Sequence, residues 1–376
     1  MLKPKINNVN IFARKNRGIL FPSFIFNCDN KKCFEKSEKM THLFTRTSLK
    51  ILGISLCLVI FIIFFLASIV LGQIPTSMQT VVDAFLHFDE SSTEHLIITT
   101  TRISRAVIAT VIGASLAIAG ALMQALTRNP LASPSIFGIN AGALLFVVFS
   151  TVYLSVNSLI HLMLIAFLGA GVAAVMVFTL GSIGRDGLSP IKIVLAGAAL
   201  TAFFSSFTQG LLVTNEQSLE GVLFWLGGSV SGRTLEMLAP ILPFMIGAGI
   251  VSLFLGYPVN ILTSGEDIAK GLGQKTILVK ILMSIVIIIL AGGSVAIGGS
   301  IGFIGLIVPH IVRSLVGIDY RWIIPYSALL GASLLLLADV AARFVIMPEE
   351  MPIGVMTALF GTPFFIYIAR RGFNKG

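Results

Sequence analysis

Charged residues are scarce in this sequence. Asp, Glu, Lys and Arg occupy 11% of its 376 positions, whereas soluble domains carry roughly 25% charged residues. Three cysteines are too few for a disulfide-stabilised scaffold, and a hydrophobic content of 56% excludes a disordered chain. Because one membrane crossing takes about 20 apolar residues, the chain has room for many spans and for no large water-soluble domain. These properties exclude a soluble enzyme and predict an all-α polytopic membrane protein.

Positive charge is concentrated at the N-terminal end. Residues 1–50 hold eleven Lys and Arg against three acids, which predicts a cytoplasmic N-terminus under the positive-inside rule. We interpret residues 1–45 as a basic cytoplasmic extension without stable structure. Since Met40 stands just before the first apolar run, the native start is either Met1 or Met40. A nucleic-acid-binding arm is the alternative interpretation, but the segment carries no fold signature for it.

Stretches free of Asp, Glu, Lys and Arg divide residues 46–372 into apolar segments. We count ten and predict one transmembrane domain of about ten helices. An even count places both termini on one side, and basic residues at 370, 371 and 375 agree with a cytoplasmic C-terminus. The loops predicted to be cytoplasmic are 182–192, 257–276 and 313–321, and those predicted to be external are 72–104, 154–161, 215–237 and 346–351.

Three arginines, Arg102, Arg105 and Arg343, fall at predicted external helix ends, against the positive-inside trend. Arg102 and Arg105 have i, i+3 spacing, which places both on one side of a helical turn. One interpretation is snorkelling or internal pairing, since Asp339, the one acid within a predicted span, lies four residues before Arg343. The other is a cationic rim for an acidic partner, because a guanidinium pairs with a carboxylate through two hydrogen bonds. The residues alone leave both open.

The predicted cytoplasmic loop 257–276 contains a short amphipathic pattern. The candidate residues are Ser264, Gly265, Glu266, Asp267, Ile268, Ala269, Leu272 and Gly273. Acids directly after Ser264 predict a helix start that this serine caps, with one short apolar face. Such a helix suits docking into a groove of another protein; the alternative is a helix at the lipid surface. The nearby GLGQKT is no phosphate-binding loop, because Gln274 stands where that loop needs glycine before lysine.

Glycine is abundant within the predicted spans, where small residues let helices approach closely. The candidates for helix packing or for a transport pathway are Gly138, Gly142, Gly298, Gly302, Pro309 and His310. The glycine-rich run 292–305 predicts a break between two helices, and unwound backbone in a membrane needs cover from protein or a cavity. A lone membrane histidine is more often a structural hydrogen-bonding group than a proton relay. Cys28 and Cys33 lack a second ligand pair, so we expect no metal site and no catalytic residue.

Six long motifs follow one another between about residue 50 and the C-terminal end. They are TRISRAVIATVIGASLAIAGALMQALTRNPLASPSIFGINAGA (101–143), FWLGGSVSGR (224–233), SGEDIAKGLGQ (264–274), GSIGFIGLIVPHIVR (299–313), LLGASLLLLADVAARF (329–344) and MPIGVMTALFGTPFFIYIARR (351–371). Together they resemble the FecCD-type permeases of bacterial ABC importers for ferric siderophores, haem and cobalamin. Residues 1–45 have no counterpart in that family's usual pattern, and Ser104 stands where the family more often has proline before the second arginine.

The resemblance implies a ten-helix permease in the bacterial cytoplasmic membrane, paired as a homodimer or with a related permease. It also implies two cytoplasmic ABC ATPase subunits that use ATP-Mg, and an extracellular or periplasmic substrate-binding protein. This chain is then expected to bind no cofactor and no nucleic acid and to have no enzymatic activity. Arg102, Arg105 and Arg343 are implied to receive acids of the binding protein. The segment 264–274 is implied to insert into the ATPase as a coupling helix.

The cargo implied by the resemblance is a ferric siderophore, with haem or cobalamin as the alternative within the same family. An ion-gradient-driven secondary transporter is the alternative of another class. Such a transporter normally needs membrane-embedded carboxylates for coupling, and Asp339 stands alone in that respect. The sequence therefore favours the ATP-driven importer.

Overall fold

The computed structural model describes residues 43–373 except 45, 75, 157, 184–189 and 215–224. The predicted basic extension therefore lies outside the described residues apart from positions 43 and 44, and so does the alternative start at Met40. Most of the first half of the predicted external loop 215–237 is also outside them. Everything below concerns the described part of the chain, and its regular structure is helical throughout.

Fourteen α-helices make up the described residues. In chain order they are α1 (Thr47–Val70), α2 (Met78–Leu86), α3 (Thr93–Leu96), α4 (Ile103–Thr127), α5 (Ile139–Leu154), α6 (Leu159–Ser182), α7 (Pro190–Thr214), α8 (Leu235–Leu238), α9 (Leu242–Thr263), α10 (Glu266–Gly271), α11 (Thr276–Gly298), α12 (Ile304–Val316), α13 (Tyr320–Ala342) and α14 (Ile353–Phe373). A π-helical turn, Ile97–Arg102, joins α3 to α4, and a 3₁₀ turn, Pro134–Phe137, precedes α5.

Seven of the helical segments are long and apolar enough to cross a membrane. They are Thr47–Val70, Thr93–Thr127, Leu159–Ser182, Ile191–Thr214, Leu242–Thr263, Thr276–Gly298 and Tyr320–Ala342. Three shorter apolar helices, Ile139–Leu154, Ile304–Val316 and Ile353–Ile366, fall where the remaining predicted spans were placed. At 1.5 Å per residue these are short for a hydrocarbon core of about 30 Å. The membrane-protein fold class is therefore confirmed, whereas the count of ten crossings and the sidedness of the termini stay predictions.

Helix α4 lies at the centre of the bundle. Within an 18-residue apolar stretch of the segment Thr93–Thr127, 78% of the residues are buried, whereas the corresponding share in α1 is 22%. Glycines allow this close packing: a Cβ added at Gly113 would lie 2.4 Å from the carbonyl oxygen of Gly331, and one at Gly120 would lie 2.0 Å from that of Gly305. Because no hydrophobic drive brings helices together in lipid, such backbone contacts supply the association. Helices α11, α12 and α13 thus hold α4 through contacts that only small residues permit.

The predicted glycine-spacing pairs have mixed outcomes. Gly142 is a packing residue, since an added Cβ would lie 2.4 Å from the Ala173 side chain, and Gly298 contacts Ile112 of α4. Gly138 instead stands just before α5 with φ of 66°, a left-handed conformation that glycine adopts without strain. A Cβ at Gly302 would meet nothing within 4 Å. Gly138 and Gly302 both lie outside helices, so helix packing does not apply to them, and the pathway alternative for these two residues stays a prediction.

Two predicted element boundaries also need correction. Helix α9 continues through Pro258 to Thr263, so the connection begins later than the predicted 257, and proline is accommodated within the helix. Helix α11 runs unbroken through Gly292 to Gly298, so the break predicted over 292–305 is confined to 299–303. In both places packing against neighbouring helices overrides the local preference of proline or glycine.

We predict that Gly120→Ala destabilises the protein, because the backbone oxygen of Gly305 cannot move aside as a flexible side chain would. Overpacking of this kind costs about 1–3 kcal/mol. Gly171→Ala is the matched control, since a Cβ there meets nothing within 4 Å and alanine favours a helix over glycine. The measurement is the temperature at which half of the detergent-solubilised protein leaves its monodisperse chromatographic peak. Equal temperatures for the two variants would contradict the packing role of Gly120.

Candidate functional site

Three segments far apart in the sequence meet at one end of the bundle. They are the end of α1 with the residues that follow it, the turn from Ile97–Arg102 into α4, and the end of α13 with the connection 343–352. This meeting point holds a group of charged residues that we call the arginine cluster. The arginine cluster comprises Arg102, Arg105, Asp339, Arg343 and Glu350.

Arg102 is 5% exposed and binds the segment after α1. Its guanidinium donates hydrogen bonds to the carbonyl oxygens of Val70 (2.8 Å) and Ile69 (3.0 Å), and to the Thr76 hydroxyl (2.6 Å). A further bond goes to the carbonyl of Ile74. The last carbonyls of a helix have no partner within the helix, so this guanidinium closes the C-terminal end of α1 and orders the chain that follows.

Asp339 lies at the centre of the cluster and is fully buried. One carboxylate oxygen accepts a hydrogen bond from Arg105 Nε at 2.7 Å, and the other accepts from Arg343 Nη2. Arg343, which is 3% exposed, also donates to the carbonyls of Ser68 and Leu71, each at 2.7 Å. A buried carboxylate is stable only when paired and hydrogen-bonded, and two guanidinium groups meet this requirement here.

Glu350 completes the cluster from the connection between α13 and α14. Its Oε2 atom lies 2.7 Å from Arg105 Nη1, and its side chain is 27% exposed, in contrast to the buried side chain of Asp339. Partial burial raises the pKa of Glu350, but the Arg105 guanidinium and the Ser231 side chain outweigh burial and hold that pKa below its ordinary value. Glu350 is therefore ionised at neutral pH and carries the cluster's outward-facing negative charge.

The sequence left open whether these arginines pair internally or form a cationic rim for an acidic partner, and the structure answers part of this question. The pairing of Arg343 with Asp339 at i−4 is present, and the three arginines are buried rather than arranged as an exposed rim. Their predicted docking to a binding protein stays a prediction. Sequence reasoning missed Glu350 as the partner of Arg105, since 245 positions separate the two residues and no local pattern links them.

The predicted coupling segment, residues 264–274, forms the short helix α10 between α9 and α11. Ile268 and Leu272 are 56% and 69% exposed, while Ala269 is fully buried. The helix therefore presents two apolar side chains outward and is anchored by its small inner residue. Exposed apolar side chains grouped in this way are typical of a contact surface for another protein.

The cap predicted for this helix is wrong. The Ser264 hydroxyl donates to the Asn260 carbonyl at 3.1 Å, so it closes α9, and Gly265 precedes α10 without a side-chain cap. Glu266 instead accepts a hydrogen bond from Lys280 at 2.8 Å and lies 3.3 Å from Lys270. The Lys280 hydrogen bond, acting against partial burial, lowers the pKa of Glu266. Lys280, buried in the first turn of α11, thereby ties α10 to a long helix of the bundle.

The other predicted coupling residues surround this link. Asp267 is exposed beside Ile268, and Gly273 follows the helix with φ of 78°, a left-handed conformation common where a helix ends. The segment is thus a short helix closed by glycine at both ends. Its free face consists of Asp267, Ile268 and Leu272.

A cavity of about 270 Å³ adjoins the non-helical stretch 299–303. Gly302 and Phe303 line it together with Asn140, whose amide donates to the Ser300 hydroxyl at 3.0 Å. Phe303 has φ of 66°, an uncommon conformation for a bulky residue. Of the two pathway candidates beyond it, Pro309 is buried within α12, and the His310 ring packs edge-to-face with the Phe364 ring at 5.9 Å between centroids. The unwound stretch is thus covered by protein and a cavity, as the membrane requires.

We predict that Asp339→Asn strongly destabilises the protein, since it leaves Arg105 and Arg343 sharing less negative charge in a buried site. Breaking a buried ion pair by removing one partner costs about 3–5 kcal/mol. Asp83→Asn in α2 is the control, because it removes the same charge from an exposed position. The loss of monodisperse protein on heating measures both. Similar heat resistance of the two variants would show that the buried carboxylate is not needed for stability.

Comparison with known proteins identifies the relatives of this chain. The sequence profile of the FecCD transport family matches residues 60–371. The probable siderophore transport system permease protein YfiZ of Bacillus subtilis is 56% identical over 306 residues, covering 81% of this chain and 92% of that protein. The Fe(3+)-citrate import system permease protein YfmD of the same organism is 46% identical, over 88% of this chain and 97% of that one.

A solved structure gives the same result in three dimensions. One solved chain comes from an ABC transporter that is described as being of the metal-chelate type, in an inward-facing conformation. It superposes on this chain with a TM-score of 0.74 at 28% identity. The match covers 85% of this chain and 98% of that chain. Together with the profile match over most of the sequence, this agreement in length and topology shows that the chain belongs to the FecCD transport family.

Proposed function

We propose that this chain is the membrane-spanning permease of a binding-protein-dependent ABC importer that carries a ferric siderophore across the bacterial cytoplasmic membrane. The observation that carries the proposal is the 56% identity, over nearly the whole transmembrane part, to a permease named for siderophore transport. Relatives named for Fe(3+)-citrate and iron(3+)-hydroxamate import support the same class of cargo. In this proposal the cargo is an iron chelate that passes through the protein, and it is not a resident cofactor.

ATP hydrolysis is assigned to partner subunits. The sequence around Gln274 lacks the glycine that a phosphate-binding loop needs directly before its lysine. Two cytoplasmic ABC ATPases would instead bind and hydrolyse ATP-Mg. This chain would contribute the contact through which their movement reaches the membrane.

That contact is assigned to α10. Its exposed Ile268 and Leu272 suit insertion into an apolar groove, and the Glu266–Lys280 ion pair connects the helix to α11. When the ATPases close, a displacement of α10 would be passed to α11, because a charged hydrogen bond at a half-buried site resists separation. The far end of α11 leads into the 299–303 stretch beside the cavity. Movement at the ATPase would thus reach the inner lining of the bundle.

A second permease is expected to cover part of the remaining apolar surface. Helix α14 exposes Val355, Leu359 and Ile366 along one side, at 41%, 56% and 47%. An importer of this type pairs two permeases around one path, as a homodimer or with a related chain. Alternating access would then switch that path between the two sides while each subunit keeps its glycine-packed centre.

The opposite end of the bundle is assigned to the substrate-binding protein. The arginine cluster lies there, with Glu350 partly exposed at its outer edge. Acidic side chains of a binding protein are the natural partners of guanidinium groups, because these pairs are charged and directional. Docking at this end and ATPase contact at α10 would put the two partners on opposite sides of the membrane. In this arrangement residues 46–372 would form the transmembrane domain, and residues 1–45 would be a cytoplasmic extension.

We predict that the complex takes up radiolabelled ferric siderophore only when ATP is supplied. The assay uses proteoliposomes that contain this chain and its ATPase, with the binding protein outside and ATP inside. Uptake is expected to persist with a protonophore, because no ion gradient drives it. Uptake that stops with the protonophore and ignores ATP would establish a secondary transporter instead. Uptake of labelled haem or cobalamin under the same conditions, without uptake of the labelled ferric siderophore, would reassign the cargo.

We also predict that Ile268→Asp together with Leu272→Asp uncouples the ATPase from transport, since both changes place charge where an apolar contact is expected. Ferric siderophore uptake should fall at least about tenfold, as the loss of one or two buried apolar side chains implies. Ile318→Asp is the matched control, because Ile318 is 75% exposed in another predicted cytoplasmic loop. Unchanged uptake and unchanged ATPase assembly in the double variant would favour a helix lying at the lipid surface.

A further inference from the structure

The three arginines of the cluster differ in the hydrogen-bond acceptors that an incoming group would have to displace. The acceptors of Arg102 are three main-chain carbonyls and one hydroxyl of the segment 69–76. Those of Arg343 are main-chain carbonyls of α1 and its end, the Ser68 hydroxyl, and the fully buried Asp339. The Ile74 carbonyl and the Thr76 hydroxyl lie in the connection after α1, but Arg102 also holds the carbonyls of Ile69 and Val70 at the end of that helix. The acceptors of Arg343 lie in α1, in α13 or directly after α1. Both are therefore structural in this conformation.

Arg105 has one fixed face and one exchangeable face. Its Nε atom is held by Asp339, which is 0% exposed, whereas Nη1 is held by Glu350, whose side chain is 27% exposed. Glu350 lies in the connection 343–352 rather than in a helix. Because a connecting segment can move without unwinding a helix, this bond can open while the bond to Asp339 stays closed. The Nη1 face of Arg105 is thus the guanidinium face of the arginine cluster that is held by a partly exposed carboxylate and can exchange it for another.

We propose that Glu350 occupies the place on Arg105 that a carboxylate of the binding protein takes on docking, so that docking exchanges one carboxylate for another. This inference rests on the proposed function and specifies its docking site. The incoming group is an Asp or Glu side chain, since a carboxylate forms charged hydrogen bonds with a guanidinium in the geometry that Glu350 now uses.

Exchange explains how a buried cluster accepts a partner. Arg105 and Arg343 are balanced by Asp339 and Glu350, and an incoming carboxylate preserves that balance as Glu350 leaves. At no stage does Arg105 stand unpaired in a buried site, which would be costly. An exposed rim of free arginines would bind acids with less selectivity, because any acidic surface would meet it equally well.

The exchange also connects docking of the binding protein to the unwound stretch inside the bundle. The Ser231 side chain helps to lower the pKa of Glu350, so it stabilises the same carboxylate that Arg105 holds. Ser231 follows a segment that is bonded to the start of the unwound stretch, since Ser229 N–H donates to the Gly298 carbonyl at 2.9 Å. Gly228 accepts from Gly354 N–H at 3.2 Å. When Glu350 leaves Arg105, the segment that covers 298–300 loses one of its attachments to the rest of that end.

The test measures how tightly the soluble form of the binding protein that supports uptake in the proteoliposome assay binds the permease–ATPase complex in nanodiscs. Glu350→Gln removes the charge that competes for Arg105, and we expect it to tighten binding by roughly three- to fivefold. Glu349→Gln is the matched control, because Glu349 is the exposed neighbouring acid with no ion pair among the described residues. It should leave affinity within about twofold of the native value.

Ser231→Ala keeps every charge and loosens Glu350 through its second contact, so it should tighten binding in the same direction by a smaller factor. If Glu350→Gln fails to fold, the affinity of the Ser231→Ala variant still tests the exchange. Affinity of Glu350→Gln that is equal to or weaker than that of Glu349→Gln, or a Ser231→Ala variant with weakened binding, would overturn the exchange. Failure of the native complex itself to bind would instead contradict the proposed function.

Discussion

A carboxylate without access to water holds one end of this protein together. Asp339 is fully buried and is stable as an anion only because Arg105 and Arg343 donate hydrogen bonds to its two oxygens. Arg343 in turn binds carbonyls at the end of α1. The ends of α1, α4 and α13 are therefore fixed relative to one another by a single charge. Because each partner would be costly to leave unpaired, these helix ends move together or not at all.

The middle of the bundle is held by a different kind of contact. Backbone meets backbone at Gly113 with Gly331 and at Gly120 with Gly305, and dispersion between closely fitted surfaces replaces the hydrophobic drive that lipid removes. Such contacts are insensitive to pH and salt but sensitive to a single added methyl group. The protein thus combines a centre fixed by shape with an end fixed by charge, and it can change its polar contacts without repacking its centre.

The sequence allowed the fold class and the helix positions to be predicted, because apolar stretches bounded by charges reflect the cost of burying charge in lipid. It also located the α10 segment and the Arg343–Asp339 pair, since both depend on residues within four positions of each other. It failed where distant residues decide the outcome. The contact of Arg105 with Glu350 and the ion pair of Glu266 with Lys280 depend on how helices are arranged in space. Ser264 was misassigned because the same hydroxyl suits the end of one helix and the start of the next.

The two ends of the molecule use charge in opposite ways, and this difference suits their tasks. At α10, Glu266 and Lys280 connect a short surface helix to a long one, so that a push on the exposed apolar face reaches α11 directly. At the arginine cluster, Glu350 sits on a connection and is partly exposed, so its bond to Arg105 is suited to being broken. In the proposed importer, the end that receives force from the ATPase needs a firm attachment, and the end that recognises the binding protein needs a replaceable one. The two pairs have similar side-chain exposure, 11% and 34% for Lys280 and Glu266 against 8% and 27% for Arg105 and Glu350. They differ in the elements that carry them, since Glu266 and Lys280 both stand in helices whereas Glu350 stands in a connection that can move without unwinding a helix.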